Sequence, residues 1–259
     1  MAAAYARRAG FSNARVLLGR RQDNDAEKAD DEASGAMNPS WALAGFGLGA
    51  IAGSFAATIV LRWPQARSVA HGRSECDHCR RTLTPVELIP ILGFLIRRGR
   101  CATCHARIDP THLVVELLAA LIGAIAFGLA PGAAGVAGAL FGWWLLTLAA
   151  LDLFHLWLPD RLTLPLAALG VAAGLAGLDP APLDRIAGLA VGFGALFVVA
   201  EGYRLLRGRI GLGGGDPKLF GAIGAWLGWQ LLPFVLLIAC AGGLGYALTM
   251  AVRGKQMCA

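Results

Sequence analysis

Seven apolar stretches constrain this chain more than any other feature, at about residues 41–61, 113–130, 133–152, 162–178, 186–204, 219–231 and 233–252. A helix needs roughly 20 apolar residues to cross the hydrocarbon core of a bilayer. The stretch at 219–231 is short for that and predicts a tilted or partial helix. In lipid every backbone N–H and C=O must find its partner within the protein, which a helix achieves unaided. The expected fold is an all-α polytopic membrane protein with about seven transmembrane helices. Composition agrees, because 56% of residues are hydrophobic and 15% charged, less charge than a soluble domain of this length carries. The 35 glycines suit helices whose backbones touch, the packing device that replaces the hydrophobic effect in lipid.

The net charge of +6 does not mark a nucleic-acid surface, because the basic residues fall in loops instead of along one face. Arg62, Arg67, Arg73, Arg80, Arg81, Arg97, Arg98, Arg100 and Arg107 crowd the loop between the first and second stretches. The positive-inside rule places that loop in the cytoplasm. Alternation then puts Asp152, Asp160, Arg204, Asp216 and Lys218 on the cytoplasmic side as well. Residues 1–37, arginines followed by acids, read as a disordered extension that ends at an alternative start, Met37. The expected organisation is that extension, a first transmembrane helix at 38–62, a cytoplasmic four-cysteine domain at 63–112, and a six-helix membrane domain at 113–259.

Two carboxylates stand out, since an ionised aspartate bordering a membrane segment is costly and by default functional. Asp152 closes the third stretch. Asp216 lies in Gly211-Leu212-Gly213-Gly214-Gly215-Asp216-Pro217-Lys218, where glycines leave the backbone open to another chain. Asp216 has a second reading, as the cap of the helix that follows, with Pro217 in its first turn. Asp160, after Pro159, reads as a cap on the same grounds, and Glu201 as the partner of Arg204 one turn on.

Cys76-Asp77-His78-Cys79 and Cys101-Ala102-Thr103-Cys104 form two knuckles 21 residues apart. Paired thiolates from two turns supply the four tetrahedral ligands of a closed structural zinc site, and a loop with little core needs such a staple. Cys76, Cys79, Cys101 and Cys104 are the expected ligands, with a redox dithiol or unmetallated thiols as the alternative. Cys240 and Cys258 lack partners at ligand spacing and are expected to be inert.

Taken together these motifs resemble the bifunctional type IV prepilin peptidases, bacterial inner-membrane aspartyl proteases and N-methyltransferases. Gly53-Ser54-Phe55 with Arg62 and Pro64 is similar to that family's GSFxNVxxxRxP opening, and Ser74 through Cys79 to its SxCxxC. Glu87-Leu88-Ile89-Pro90 through Arg98-Gly99-Arg100-Cys101-Ala102-Thr103-Cys104 is similar to ExIPxxSxxxxRGxCxxC, and Val115-Glu116-Leu117-Leu118 to VELL. Asp152 with Leu158-Pro159-Asp160, and Gly213 and Gly215 with Asp216 and Lys218, resemble the motifs that hold the two catalytic aspartates.

The resemblance implies a catalytic dyad of Asp152 and Asp216, supported by Gly213, Gly215, Lys218 and Asp160. It implies S-adenosylmethionine as methyl donor, with Glu87 and Glu116 as candidates for its site or for structural ion pairs. It implies prepilin or pseudopilin substrates cleaved at the cytoplasmic membrane face. Ala57, Leu88 and Gly93 stand where the family carries two asparagines and a serine, which motivates a second reading, a peptidase without methyl transfer. Pro217 replaces a residue that is usually apolar, and the final PFGPF-type segment is absent, so seven spans are expected instead of eight. A non-catalytic zinc-binding membrane scaffold is the remaining alternative.

Overall fold

A computed structural model describes residues 37–69, 74–76 and 78–252, so most of the expected N-terminal extension, Asp77 and Cys258 lie outside the described residues. Each apolar stretch forms one helix, except that 219–231 breaks at Gly228 and ends in a separate 3-10 turn, Trp229–Leu231. The helices are α1 (Pro39–Arg62), α3 (Pro110–Leu129), α4 (Ala133–His155), α5 (Asp160–Leu175), α6 (Pro182–Arg207), α7 (Gly215–Leu227) and α8 (Leu232–Val252). A short helix, α2 (Leu92–Ile96), lies in the polar loop. Among the described residues there are no strands, only two isolated bridges in that loop. The membrane helices α1, α3, α4, α6 and α8 are long and apolar enough to cross a bilayer. At 16 and 13 residues α5 and α7 are shorter.

Local sequence sets the helix ends. Asn38 accepts hydrogen bonds from the Ser40 and Trp41 amides at the start of α1, and Pro110 and Pro182 sit in first turns where a missing N–H costs nothing. Leu156 and Gly208 close α4 and α6 in the left-handed conformation.

The helices pack as two groups. In the first, Gly45, Gly49 and Gly53 of α1 lie directly on the backbone of α3, where a Cβ would collide with Gly123, Ala119 and Glu116. The second pairs α6 with α7 backbone to backbone at Gly188 and Gly224. A core of Leu148 on α4, Leu166 on α5, and Ala222 and Trp226 on α7 joins the groups. There the Trp226 ring stacks on Phe141 at 5.0 Å and its indole donates to the Leu166 carbonyl at 2.8 Å.

Arg185 locks the end of the second group away from the aspartates. It is 2% exposed, and its guanidinium donates to the carbonyls of Pro180, Gly170, Ala225, Leu178 and Asp179 at 2.6–3.3 Å. Gly174 leaves room for its stem. Hydropathy treats Arg185 as one more loop charge, yet it ties α5, α6, α7 and the 176–181 turn together. Arg185→Met leaves five carbonyls without their charged donor and is expected to lower stability by roughly 2–5 kcal/mol. Each buried hydrogen bond to a charged group contributes about 1.5–3 kcal/mol, and relaxation recovers part of the loss. Arg185→Lys should recover only part of this, since a point charge cannot reach five carbonyls. Thermal unfolding in detergent measures both.

Candidate active site and metal centre

At the opposite end, four elements converge on Asp152. It occupies the last turn of α4, followed by the loop 156–159 that leads into α5. His155 places Nε2 3.1 Å from the Val60 carbonyl in the last turn of α1. Trp157 meets Trp63 edge to face at 5.5 Å. These contacts pin the loop to the end of α1. From the other side, Gly215 lets α7 settle on Leu158, where a Cβ would come within 2.7 Å of the Leu158 Cβ. Lys218 on α7 then reaches Asp160 at the start of α5, with Nζ 2.7 and 2.8 Å from its two oxygens.

This arrangement brings Asp216 within electrostatic reach of Asp152. Asp216 is half-buried in the first turn of α7 and accepts the Gly213 amide at 3.0 Å. Burial of its carboxyl raises its pKa above the ordinary aspartate range. The Gly213 amide pulls the other way, and the charge of Asp152 adds to the rise. Asp152 itself is exposed. Gly213, Gly215, Lys218 and Asp160 therefore all touch the segments that carry the two aspartates.

Both capping expectations need correction. Gly214 is the cap of α7, and no side-chain bond caps that helix. Asp216 reaches back from inside the first turn to the amide that precedes the cap. Asp160 makes no cap bond either, since Pro159 holds the cap position and Asp160 is the first helical residue; Lys218 engages both its oxygens. The pair Glu201–Arg204 forms as expected, at 2.7 Å.

The cysteine loop builds its knuckles twice over. The Cys76 amide donates to the Arg81 carbonyl and the Arg80 amide to the Cys76 carbonyl, while Cys101, Ala106 and His105 repeat the pattern. Arg80 and His105 both take positive φ, 55° and 56°. Bridges between Glu75 and Thr82 and between Arg100 and Arg107 close the two turns.

The four sulfurs lie within 4.8 Å of one another, with Cys76 to Cys104 at 3.8 Å and Cys79 to Cys101 at 3.9 Å. A tetrahedral metal with sulfur bonds of about 2.3 Å spaces its ligands by about 3.8 Å. The amides of Cys104 and Thr103 hold the Cys101 thiol down at about 6, whereas, against the Ala106 amide, burial and the neighbouring sulfurs push Cys104 up to about 11. These four residues fit a metal ion. Cys240 lies on α8 outside the cluster.

Glu87 and Glu116 are both committed within the protein. Glu87 receives Arg81 at 2.8 and 3.0 Å, Arg97 at 3.2 Å, and the Thr84 amide and hydroxyl at 2.9 Å. The Thr84 amide and then Arg81 hold its carboxyl down at about 2. Stabilisation by this carboxylate is complete above its ordinary value of 4.5 and disappears as pH falls toward 2. The stability difference between wild type and Glu87→Gln should thus be constant above about pH 4.5 and shrink below it. Amide exchange of residues 81–97 measures that difference. Glu116, buried on α3, accepts the Ile91 amide at 2.7 Å.

Two family models match the chain in succession. Residues 48–129 match the Bacterial Peptidase A24 N-terminal domain, and residues 139–248 match the Type IV leader peptidase family. A prepilin leader peptidase/N-methyltransferase of Aeromonas hydrophila is 44% identical over 172 residues, covering 66% of this chain and 59% of the relative. A Burkholderia pseudomallei protein of the same description is 38% identical over 186 residues, 71% of this chain and 60% of the relative. An Escherichia coli O78:H11 type 4 prepilin-like proteins leader peptide-processing enzyme is 35% identical over 219 residues, 77% of this chain and 81% of the relative. The chain thus spans about three fifths of the length of the first two relatives. No solved structure matches.

Proposed function

Since this chain belongs to the type IV leader peptidase family, we propose that it is an aspartyl endopeptidase that removes the basic leader of prepilins or pseudopilins. The observation that carries this reading is the convergence of Asp152 and Asp216 from separate helices at one end of the bundle. In the aspartic-protease pattern one carboxyl of such a pair works protonated and its partner ionised. The ionised partner takes a proton from water, whose oxygen attacks the scissile carbonyl. The protonated partner donates to the carbonyl oxygen; as the C–N bond breaks, the proton taken from water passes to the leaving amine and the carbonyl's proton returns to the carboxylate that gave it. The two carboxyls act as one unit, so neither residue is assigned as the base. Gly215 and the Lys218–Asp160 pair set the spacing of the two segments, and Gly213 orients the Asp216 carboxylate.

The charge distribution supports a site at the cytoplasmic face of the bacterial inner membrane, where a substrate with a basic leader and an apolar helix presents its junction. The sulfur geometry supports zinc in the cysteine loop, held by Cys76, Cys79, Cys101 and Cys104 in a structural role. The proposed division is a first helix, a four-cysteine domain at 63–112 and a peptidase domain beyond it.

The names of the relatives support a second activity, methylation of the new N-terminus from S-adenosylmethionine, which supplies the methyl group when bound. Glu87 and Glu116 are both engaged by partners within the protein. A peptidase without methyl transfer is favoured at the same places. Ala57 is fully buried beside Val115, and a Cβ on Gly93 would collide with the Glu87 carbonyl. Co-expression with a prepilin, followed by mass spectrometry of its N-terminus, tests the reading. A shortened, methylated pilin supports both activities, a shortened unmethylated one supports the peptidase alone, and an uncut one overturns the proposal.

A further inference from the structure

Residues 86–96, Val86-Glu87-Leu88-Ile89-Pro90-Ile91-Leu92-Gly93-Phe94-Leu95-Ile96, belong to a loop that charge alone assigns to water. Their outer surface is apolar. Val86, Leu88, Ile89, Leu92, Leu95 and Ile96 are each 44–61% exposed. The single charge in the segment, Glu87, is turned inward onto Arg81 and Arg97. A run of large exposed aliphatic side chains is a liability in water and marks an interaction surface.

Two observations identify what covers it. First, Glu116 holds the Ile91 amide at 2.7 Å from a position past the first turn of α3. The segment is thereby drawn against the helix it adjoins, whose Val114, Leu117, Leu118 and Leu121 are exposed in the same way. Two exposed apolar surfaces, one on the segment and one on α3, thus belong to elements tied together by the Glu116–Ile91 bond. Second, Arg98 and Arg100 follow immediately, and Arg107 is bridged to Arg100. All three are exposed, and none pairs with a carboxylate among the described residues. Apolar side chains bordered by such arginines suit the boundary between acyl chains and anionic headgroups.

We propose that residues 86–96 form an interfacial element seated in the lipid leaflet beside α3, with Arg98, Arg100 and Arg107 on anionic headgroups. The metal-binding loop is then anchored to the membrane along one side, and only its knuckles stand in water.

The test is photo-crosslinking of the full chain, with a photoreactive residue at Leu92, Leu95 or Ile96. The chain is reconstituted with a full-length prepilin in phosphatidylethanolamine and phosphatidylglycerol. Lipid adducts are expected at yields matching those at Leu121, with loss of signal at Thr82 on the first knuckle. Absence of lipid adducts at all three positions while Leu121 labels overturns the proposal, as do adducts to the prepilin or to a second copy in their place. With Arg98→Gln, Arg100→Gln and Arg107→Gln combined, the excess of phosphatidylglycerol over phosphatidylethanolamine adducts should vanish. Persistence of that excess overturns the headgroup contact.

Discussion

Asp216→Asn is expected to slow prepilin cleavage by roughly a thousandfold or more, and Asp152→Asn by as much, because an amide neither accepts the water's proton nor donates one at neutral pH. The two carboxylates act as one unit, so the double variant should be no slower than the weaker single one. Both single variants should fold. Asp152 is exposed. In Asp216→Asn the new side chain carries no charge to desolvate, and its oxygen can still accept the Gly213 amide. The informative measurement pairs initial rates of cleavage with thermal unfolding of the same preparations. Full processing by either variant would refute the dyad.

Removal of the metal should have the second large effect, and a local one. The loop between α1 and α3 has little core of its own, with Cys101 its only buried apolar side chain among the described residues. Metal binding in such a setting supplies folding free energy, about 10–16 kcal/mol in small zinc modules. Chelation, or Cys101→Ser, is therefore expected to unfold the knuckles while α3 to α8 persist. Trypsin then reports the change directly, since Arg80, Arg81, Arg97, Arg98, Arg100 and Arg107 all lie in or beside the loop. Rapid nicking there, with helical circular dichroism retained, is the expected outcome. A loop equally resistant with and without metal would refute the structural role.

The helices are legible in the sequence because lipid demands long apolar runs, and such runs announce themselves whatever the tertiary packing. The four-cysteine cluster is legible because knuckle spacing is local. The neighbourhood of the aspartates is legible only through topology and resemblance. The contacts that create it, Gly215 on Leu158 and Lys218 on Asp160, join residues 57 and 58 apart in sequence, about which local pattern is silent. The capping expectation at Asp160 fails for the same reason, since a distant lysine holds both its oxygens, whereas at Asp216 it fails locally, because the helix begins at Gly215 and leaves Asp216 inside its first turn. The apolar surface of residues 86–96 is hidden in the sequence because a motif occupies the same letters and gives no periodicity to show which side faces out.

Arg185 is satisfied by main-chain oxygens alone, and this makes the lock one-sided. In the turn, the carbonyls of Leu178 and Asp179 are present whatever side chains stand there, so those two positions can drift as long as the backbone keeps its path. Gly170 is held for a different reason, because a Cβ there would come within 2.8 Å of the Ala225 carbonyl oxygen. Position 185 itself has no latitude. A saturation screen should therefore show an intolerant arginine beside permissive partners in the turn, a pattern opposite to that of a side-chain ion pair, where both ends are fixed together.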